Sequence, residues 1–507
     1  MDTIEERKLE MQKMIDFSNL ESYTENNRIE VKKAQGTLPN SIWETYSSFA
    51  NTLGGIILLG VAETKNKSLV PIGLSDPEKL IKDFWNIINN QNKININILT
   101  SSDVFIQEIN GKSIVVINVP RAQRFYKPVY INGNPVSGTY RRNGEGDYHV
   151  NNEELKEMYR EANVKAQDIM IIEAMDISIL CSDSINSYRQ RMKLSRPGHV
   201  WEGLSDEVFL MKLGAAGIGA DGKIHPTAAG LLMFGYESDI VREFPNYFLD
   251  YREDYDNSTR WTDRIQSSSG DWSGNVYDFY FRVYNKLQQD IKVPFKLEGN
   301  MRIDDTPVHM AIREALANCI INADYYGRQG LVVIKTKDSI LLSNPGDFRI
   351  ELDAAKSGGY SDPRNSTLMK MFNLIDIGER AGSGIPSIYY IWEKQGLNEP
   401  YFRQSFEPNR ITLVLPITKD DDKKSTIKIG DKKSAIKIGD KKSAIKSAKI
   451  DRIIEYLTDH AEAKASELAE YSGLKASRVR DYLKFLVEEG TVTAEGSNRN
   501  RIYKLKS

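Results

Sequence analysis

At 507 residues the chain is longer than one hydrophobic core ordinarily serves, and its length points to three or four domains. A hydrophobic content of 40% with 27% charged residues describes a globular chain and excludes a disordered one, and two cysteines, Cys181 and Cys319, exclude a disulfide framework or a cysteine-rich zinc site. The net charge of −2 is unevenly spread: from Lys419 onward there are 21 Lys and Arg against 15 Asp and Glu, a net of +6, so the first 418 residues carry −8. A basic tail on an acidic body is a layout common in nucleic-acid-binding appendages. No run approaches the roughly 20 apolar residues of a membrane helix, and the N-terminus MDTIEERKLEMQK has no apolar signal core, so a cytoplasmic protein without membrane contact is expected.

In chain order, an opening helix is expected over about Ile4–Phe17, then a strand at Ile29–Lys32 within ENNRIEVKK. On that strand Ile29 and Val31 share one face, Glu30 and Lys32 the other. PNSIWETYSSFANTLGG reads as a helix opened by Asn40 or Ser41 and stopped by Gly54. GIILLGVAE reads as a buried strand ending at Glu63. VFIQEINGKSIVVINVP is a hairpin whose Asn110-Gly111 supplies the positive φ of a two-residue turn, and Asn132-Gly133 predicts a second. NEELKEMYREAN closes this first α+β unit, 1–163. A mixed region, 164–295, carries no readable chemistry. A third unit, 296–417, opens on the helix PVHMAIREALANCIINADYY and continues into the strands LVVIKT and SILLSN. Three copies of a lysine-rich nonapeptide make 418–448 a linker. Residues 449–507 read as a winged helix, its third helix offering Lys475, Arg478, Arg480 and Lys484 to a DNA groove and its wing Arg499 and Arg501. A packing or dimerising winged helix is the alternative.

Glu25, Glu30 and Glu63 are candidate oxygen ligands for Mg²⁺ or Mn²⁺, with Lys32 placed to stabilise charge on a phosphorane. By spacing alone, a solvated strand face explains the same residues. The basic and aromatic run Arg121, Arg124, Phe125, Tyr126, Lys127 and Tyr130, followed by Tyr140, Arg141 and Arg142, suits phosphate contact with base stacking, or equally a basic rim over packed tyrosines. On the 307–326 helix, Glu314, Asn318 and Asn322 recur every four residues and share a face. SNPGDF (Asn344, Gly346) and AGSGIPS (Gly382, Gly384) supply glycines where a backbone could approach phosphates.

The run from Glu25 through Glu30-Val31-Lys32, SSFANTLGG and Gly60-Val61-Ala62-Glu63, with GTYRRNGEGDYHVNNEELKEMY beyond it, resembles the Schlafen/AlbA-type domain over about residues 18–160. In Schlafen nucleases three acids at these positions form the metal site that cleaves RNA; the third is normally Asp, and here it is Glu63. Glu314/Asn318, SNPG and GSGI resemble the N-box and two glycine motifs of the RecG-C-terminal-like branch of GHKL ATPases over about 300–415, with Asn344 where an adenine-reading aspartate is usual. The resemblance implies ATP as a ligand and weak or absent hydrolysis, or a degenerate fold serving as a scaffold.

The expected architecture is therefore multidomain α+β: a Schlafen/AlbA-type domain, a mixed middle region, a GHKL-like α/β sandwich and a C-terminal winged helix. Two functions compete. One is a divalent-metal endonuclease on RNA such as tRNA, gated by nucleotide and serving stress or phage defence. The other is an ATP-sensing, DNA-binding transcriptional regulator without nuclease activity. Nucleic acid, RNA or DNA, is the partner in both, and a homo-oligomer is compatible with either.

Overall fold

The computed structural model describes residues 15–254, 261–289, 296–298, 301–303, 306–378, 382–406 and 408–418, with short stretches and single positions between 456 and 505. The chain divides into two compact units, Met1–Ser425 and Thr426–Ser507. Most of the expected opening helix and the lysine-rich repeat lie outside the described residues. Phe17–Ser22 forms a short 3-10 segment.

The first domain is built on a four-stranded sheet of β1 (Ile29–Lys32), β2 (Gly55–Leu59), β5 (Val104–Ile109) and β6 (Lys112–Val119), in the order β1-β2-β6-β5. β1 runs parallel to β2, with Glu30 opposite Ile57, and the remaining pairs are antiparallel. β2 is buried at all five positions because both faces are covered. Ile57 and Leu59 pack with α1 (Ile42–Asn51) and α2 (Pro77–Ile88), whereas Ile56 and Leu58 pack with Ile29, Val31 and Leu20. The alternation expected on β1 is therefore present, but its charged face turns toward the helices and not toward water: Glu30 is only 6% exposed.

The single strand expected through Glu63 is broken. Gly60 takes φ +84, and an added Cβ would lie 2.7 Å from the Leu74 side chain, so the chain leaves the sheet there. The residues beyond form a separate ribbon of β3 (Val61–Glu63) with β4 (Leu69–Pro71), which leaves Glu63 exposed. The Asn110-Gly111 hairpin forms as expected, at φ +52 and +72. Asn132 and Gly133 make the expected turn, but Pro135–Gly138 coils into one helical turn instead of a return strand. β7 (Tyr140–Asn143), β8 (Gly146–His149) and α3 (Asn152–Ala162) complete the domain. Asn151 and Glu154 form a capping box at the start of α3.

Residues 164–295 and 296–417 do not form separate bodies. β9 (Leu249–Asp254) and β10 (Asp263–Gln266) join β11 (Leu331–Thr336), β12 (Ser339–Pro345), β13 (Tyr401–Phe406) and β14 (Asn409–Pro416) in one six-stranded sheet, ordered β10-β9-β11-β12-β14-β13. The seam is the parallel pair β9–β11, with Leu249 opposite Leu331. A single apolar cluster reaches from Ile172 to Leu415. It packs α4 (Val276–Leu287), α6 (Ser366–Leu374) and α7 (Gly384–Lys394), and it surrounds most of α5 (Pro307–Ile321). In the second unit, β15 (Ala463–Lys464), β16 (Val492–Glu495) and β17 (Ile502–Leu505) form a sheet ordered β15-β17-β16. Val479, Leu483 and Leu486, at helical spacing, pack with Leu457, Leu468 and Tyr503. Among the described residues no helix is long and apolar enough to cross a membrane.

Candidate nucleic-acid interface and carboxylate corner

Both oxygens of Glu30 are engaged. Oε1 accepts from Lys32 Nζ at 2.6 Å and Oε2 from Arg142 Nη2 at 2.7 Å. Arg142, with a side chain 1% exposed, also donates to Asp147 Oδ1 at 2.9 Å and to the Asn26 carbonyl, and its guanidinium lies over the Phe49 ring. Asp147 is held in turn by the Thr45 hydroxyl at 2.7 Å and the Ser48 hydroxyl at 2.5 Å. Sequence reasoning missed this knot because Arg142 reads as one more basic residue, and nothing local marks Asp147 as its counterion. Asn51 of the FANT segment is structural too: its amide donates to the Val129 and Tyr140 carbonyls and accepts the Val129 N–H.

Glu25 stands beside the knot, its Oε1 accepting the Val31 N–H at 3.0 Å. Burial raises its pKa, the Val31 bond opposes this, and the charges of Glu30 and Glu63 raise it further. The charges of Glu30, Glu63 and Lys32 thus all reach Glu25. Hard oxygen donors in mutual repulsion suit a divalent ion, but Glu30 would have to leave two cations to serve as a ligand. Among the described residues no group of three or more His, Cys, Asp or Glu is placed to hold a metal ion.

The five basic residues expected to meet phosphate all have partners within the chain. Arg121 donates to Asp347 Oδ2 at 3.0 Å and to the Phe348 carbonyl at 2.6 Å. Arg124 grips Asp362 through Nε and Nη2 at 2.6 and 3.2 Å and donates to the Glu161 and Asn163 carbonyls. Lys127 Nζ reaches the Asn51 carbonyl at 2.8 Å, and burial together with Arg121 pushes its pKa down to about 8. Arg141 pairs with Glu154, and Arg142 belongs to the knot. The acids that hold Arg121 and Arg124 lie more than 200 residues away, so local sequence could not reveal them. Lys475, Arg478, Arg480, Lys484, Arg499 and Arg501 lie outside the described residues.

Those acids belong to the third region, which meets the first domain around a cleft of about 1470 Å³. Glu161 of α3 crosses the join and pairs with Arg349 at 2.7 Å and Arg364 at 2.8 Å. Burial would raise its pKa, but the two arginines outweigh burial and hold it at about 2. One turn earlier, Glu157 accepts from Asn409 at 2.6 Å, yet burial, Asp324 and Asp347 push its pKa up to about 7. Arg160 pairs with Asp324 at 3.0 Å.

The structure also brings the GHKL-type residues together. Asn318 donates to Glu314 Oε1 at 3.0 Å, and a Cβ on Gly384 would lie 2.2 Å from that same oxygen, so the start of α7 sits directly against the Glu314 carboxylate. Gly382 packs against the Tyr360 backbone. Asn344 spends its amide on the Asn322 and Pro345 carbonyls, and the Arg364 guanidinium fills the space a Cβ on Gly346 would meet, at 2.8 Å. As placed, Glu314 and Asn318 bond to each other, Asn344 to the neighbouring backbone, and the Arg364 guanidinium lies against Gly346.

Four family models match. Residues 25–151 match "Schlafen, AlbA_2". Over these residues the first domain is similar to that family. Its match opens at Glu25 and ends where the capping box of α3 begins. Residues 332–415 match "Putative ATP-dependent DNA helicase recG C-terminal", 448–493 match "Winged helix-turn-helix DNA-binding", and 156–250 match a domain of unknown function, DUF8451. Beside the AlbA_2-like first domain the chain thus has a RecG C-terminal-like region and a winged-helix match, the architecture its motifs imply, and the AlbA_2 and winged-helix matches support nucleic-acid binding. No curated protein matches the chain. Among solved structures, the DIP2311 protein from Corynebacterium diphtheriae is similar at 15% identity over 95% of each chain, with a TM-score of 0.38. The N-terminal domain of a RecG-related protein from Nitrosomonas europaea is 27% identical over 30% of this chain and 94% of its own, with a TM-score of 0.19.

Proposed function

We propose that this protein is a nucleic-acid-binding regulator. In this reading the winged helix contacts duplex DNA, the AlbA_2-like first domain adds a second contact, and the RecG C-terminal-like region governs access to it from within a cytoplasmic protein. The observation that carries the reading is the charge balance of the carboxylate corner. Glu30 is saturated by Lys32 and Arg142, so the corner serves the fold, while Arg121 and Arg124 are held by acids of the region proposed to control them. ATP would act here as an effector at Glu314, Asn318, Asn344, Gly346, Gly382 and Gly384, with Arg364 displaced from Gly346.

A second reading, a metal-dependent ribonuclease used in defence, is favoured by Glu25, whose carboxyl feels both Glu30 and Glu63. Mg²⁺ or Mn²⁺ would there lower the pKa of an attacking water and polarise the phosphate. Incubating the full chain with Mn²⁺ and a panel of tRNA, single-stranded and duplex substrates separates the two. The regulator reading expects binding without cleavage. Cleavage that Glu25→Gln and Glu30→Ala abolish, with binding retained, would overturn it.

A further inference from the structure

The segment Arg121–Lys127 combines features that a single-stranded nucleic acid requires. It holds three cations, and the rings of Phe125 and Tyr126 are 45% and 47% exposed, with the Arg124 guanidinium 3.9 Å from the centre of the Phe125 ring. Exposed aromatics beside guanidinium groups offer stacking to bases and pairing to phosphates, without demanding a particular base. Two of the cations are already paired with carboxylates, one of them in the two-pronged geometry a phosphate also adopts.

We propose that Asp347 and Asp362 stand in for phosphates on this segment, and that single-stranded nucleic acid binds it by displacing them. The proposal rests on the nucleic-acid-binding reading above and adds the place, the strand type and the control. Three observations support an interface that opens. The buried apolar clusters do not cross it: one set runs from Ile15 to Tyr140, and the other begins at Ile172. Polar contacts that cross it, among them Arg121–Asp347, Arg124–Asp362, Glu161 with Arg349 and Arg364, Arg160–Asp324, Glu153–Arg328 and Glu157–Asn409, surround an open cleft. Such an interface is polar and separable. Asp347 and Asp362 also keep 21% and 17% of their side-chain surface exposed, so an incoming anion reaches them. At Arg121 and Arg124 the exchange conserves charge, since each of these two guanidiniums trades a carboxylate for a phosphate, which offsets the cost of breaking those two pairs.

The test uses the full chain and a labelled oligouridylate of about 20 nucleotides, long enough to span such a groove, read by fluorescence anisotropy at two salt concentrations. Asp347→Asn/Asp362→Asn is expected to bind about tenfold more tightly than wild type, with a steeper salt dependence. Adding Arg121→Ala/Arg124→Ala removes the gain. Phe125→Ala/Tyr126→Ala, which alters exposed rings alone, weakens binding in the Asp→Asn background and serves if the arginine variant does not fold. Equal affinity of wild type and Asp347→Asn/Asp362→Asn, or a gain that survives loss of both arginines, overturns the proposal. If wild type binds duplex DNA while neither protein binds the oligouridylate, the proposal falls and the nucleic-acid-binding reading stands. If no variant binds any nucleic acid, both fall.

Discussion

Replacing Glu161 with alanine removes the carboxylate that two buried arginines share, and leaves Arg349 and Arg364, with side chains 7% and 5% exposed, facing each other without it. Two routes give the cost. The drop in the Glu161 pKa from its ordinary 4.5 to about 2 converts to about 3 kcal/mol. Removing one member of a buried ion pair costs roughly 3–5 kcal/mol in general. Because the folded-state pKa lies below the unfolded one, this stabilisation is complete above about pH 4.5 and fades as the pH falls toward 2. Hydrogen exchange along α3 reads the effect locally, where about 3 kcal/mol corresponds to faster opening on the order of 100-fold. Exchange in Glu161→Ala within about threefold of wild type at pH 7 would mean that the pair does not hold α3 to the third region, and the ionic latch would have to be abandoned.

Glu157 behaves oppositely. Its raised pKa makes its ionised form a burden that grows as the pH climbs from about 4.5 through about 7, so Glu157→Gln should stabilise the protein at pH 8 and flatten thermal stability across that window. Arg142→Met should cost about 3–5 kcal/mol in thermal unfolding by leaving Glu30 and Asp147 without their shared cation; Arg142→Lys should recover only part of this, because an ammonium cannot span both acids and the Asn26 carbonyl. Gly384→Ala should cost only about 1 kcal/mol in thermal unfolding, since its Cβ would displace the movable Glu314 carboxylate from Asn318, and a loss above about 3 kcal/mol would show that Glu314 is fixed there.

What the sequence made legible was local. The 104–119 hairpin announced itself through Asn110-Gly111, the helix expected from Pro307 forms but ends at Ile321, five residues short of the expected span, and the strands LVVIKT and SILLSN pair as neighbours. The features that decide the site are non-local. Gly60 looked like one glycine within a buried strand, and only its φ shows that the chain turns away there and carries Glu63 off the sheet. The parallel pairing of Leu249–Asp254 with Leu331–Thr336 joins segments about 80 residues apart, which no window of sequence detects. ENNRIEVKK gave the correct division of faces on β1, but not the burial of its charged face, which depends on Arg142 and Asp147 arriving from β7 and β8.

The most direct test of the account is hydrogen exchange on the full chain with and without a saturating single-stranded oligonucleotide. The account predicts protection at 121–127 together with faster exchange in α3 and in 345–364, as the acids there lose their partners. Protection of all three segments, or protection at 121–127 with no change in the other two, would contradict it.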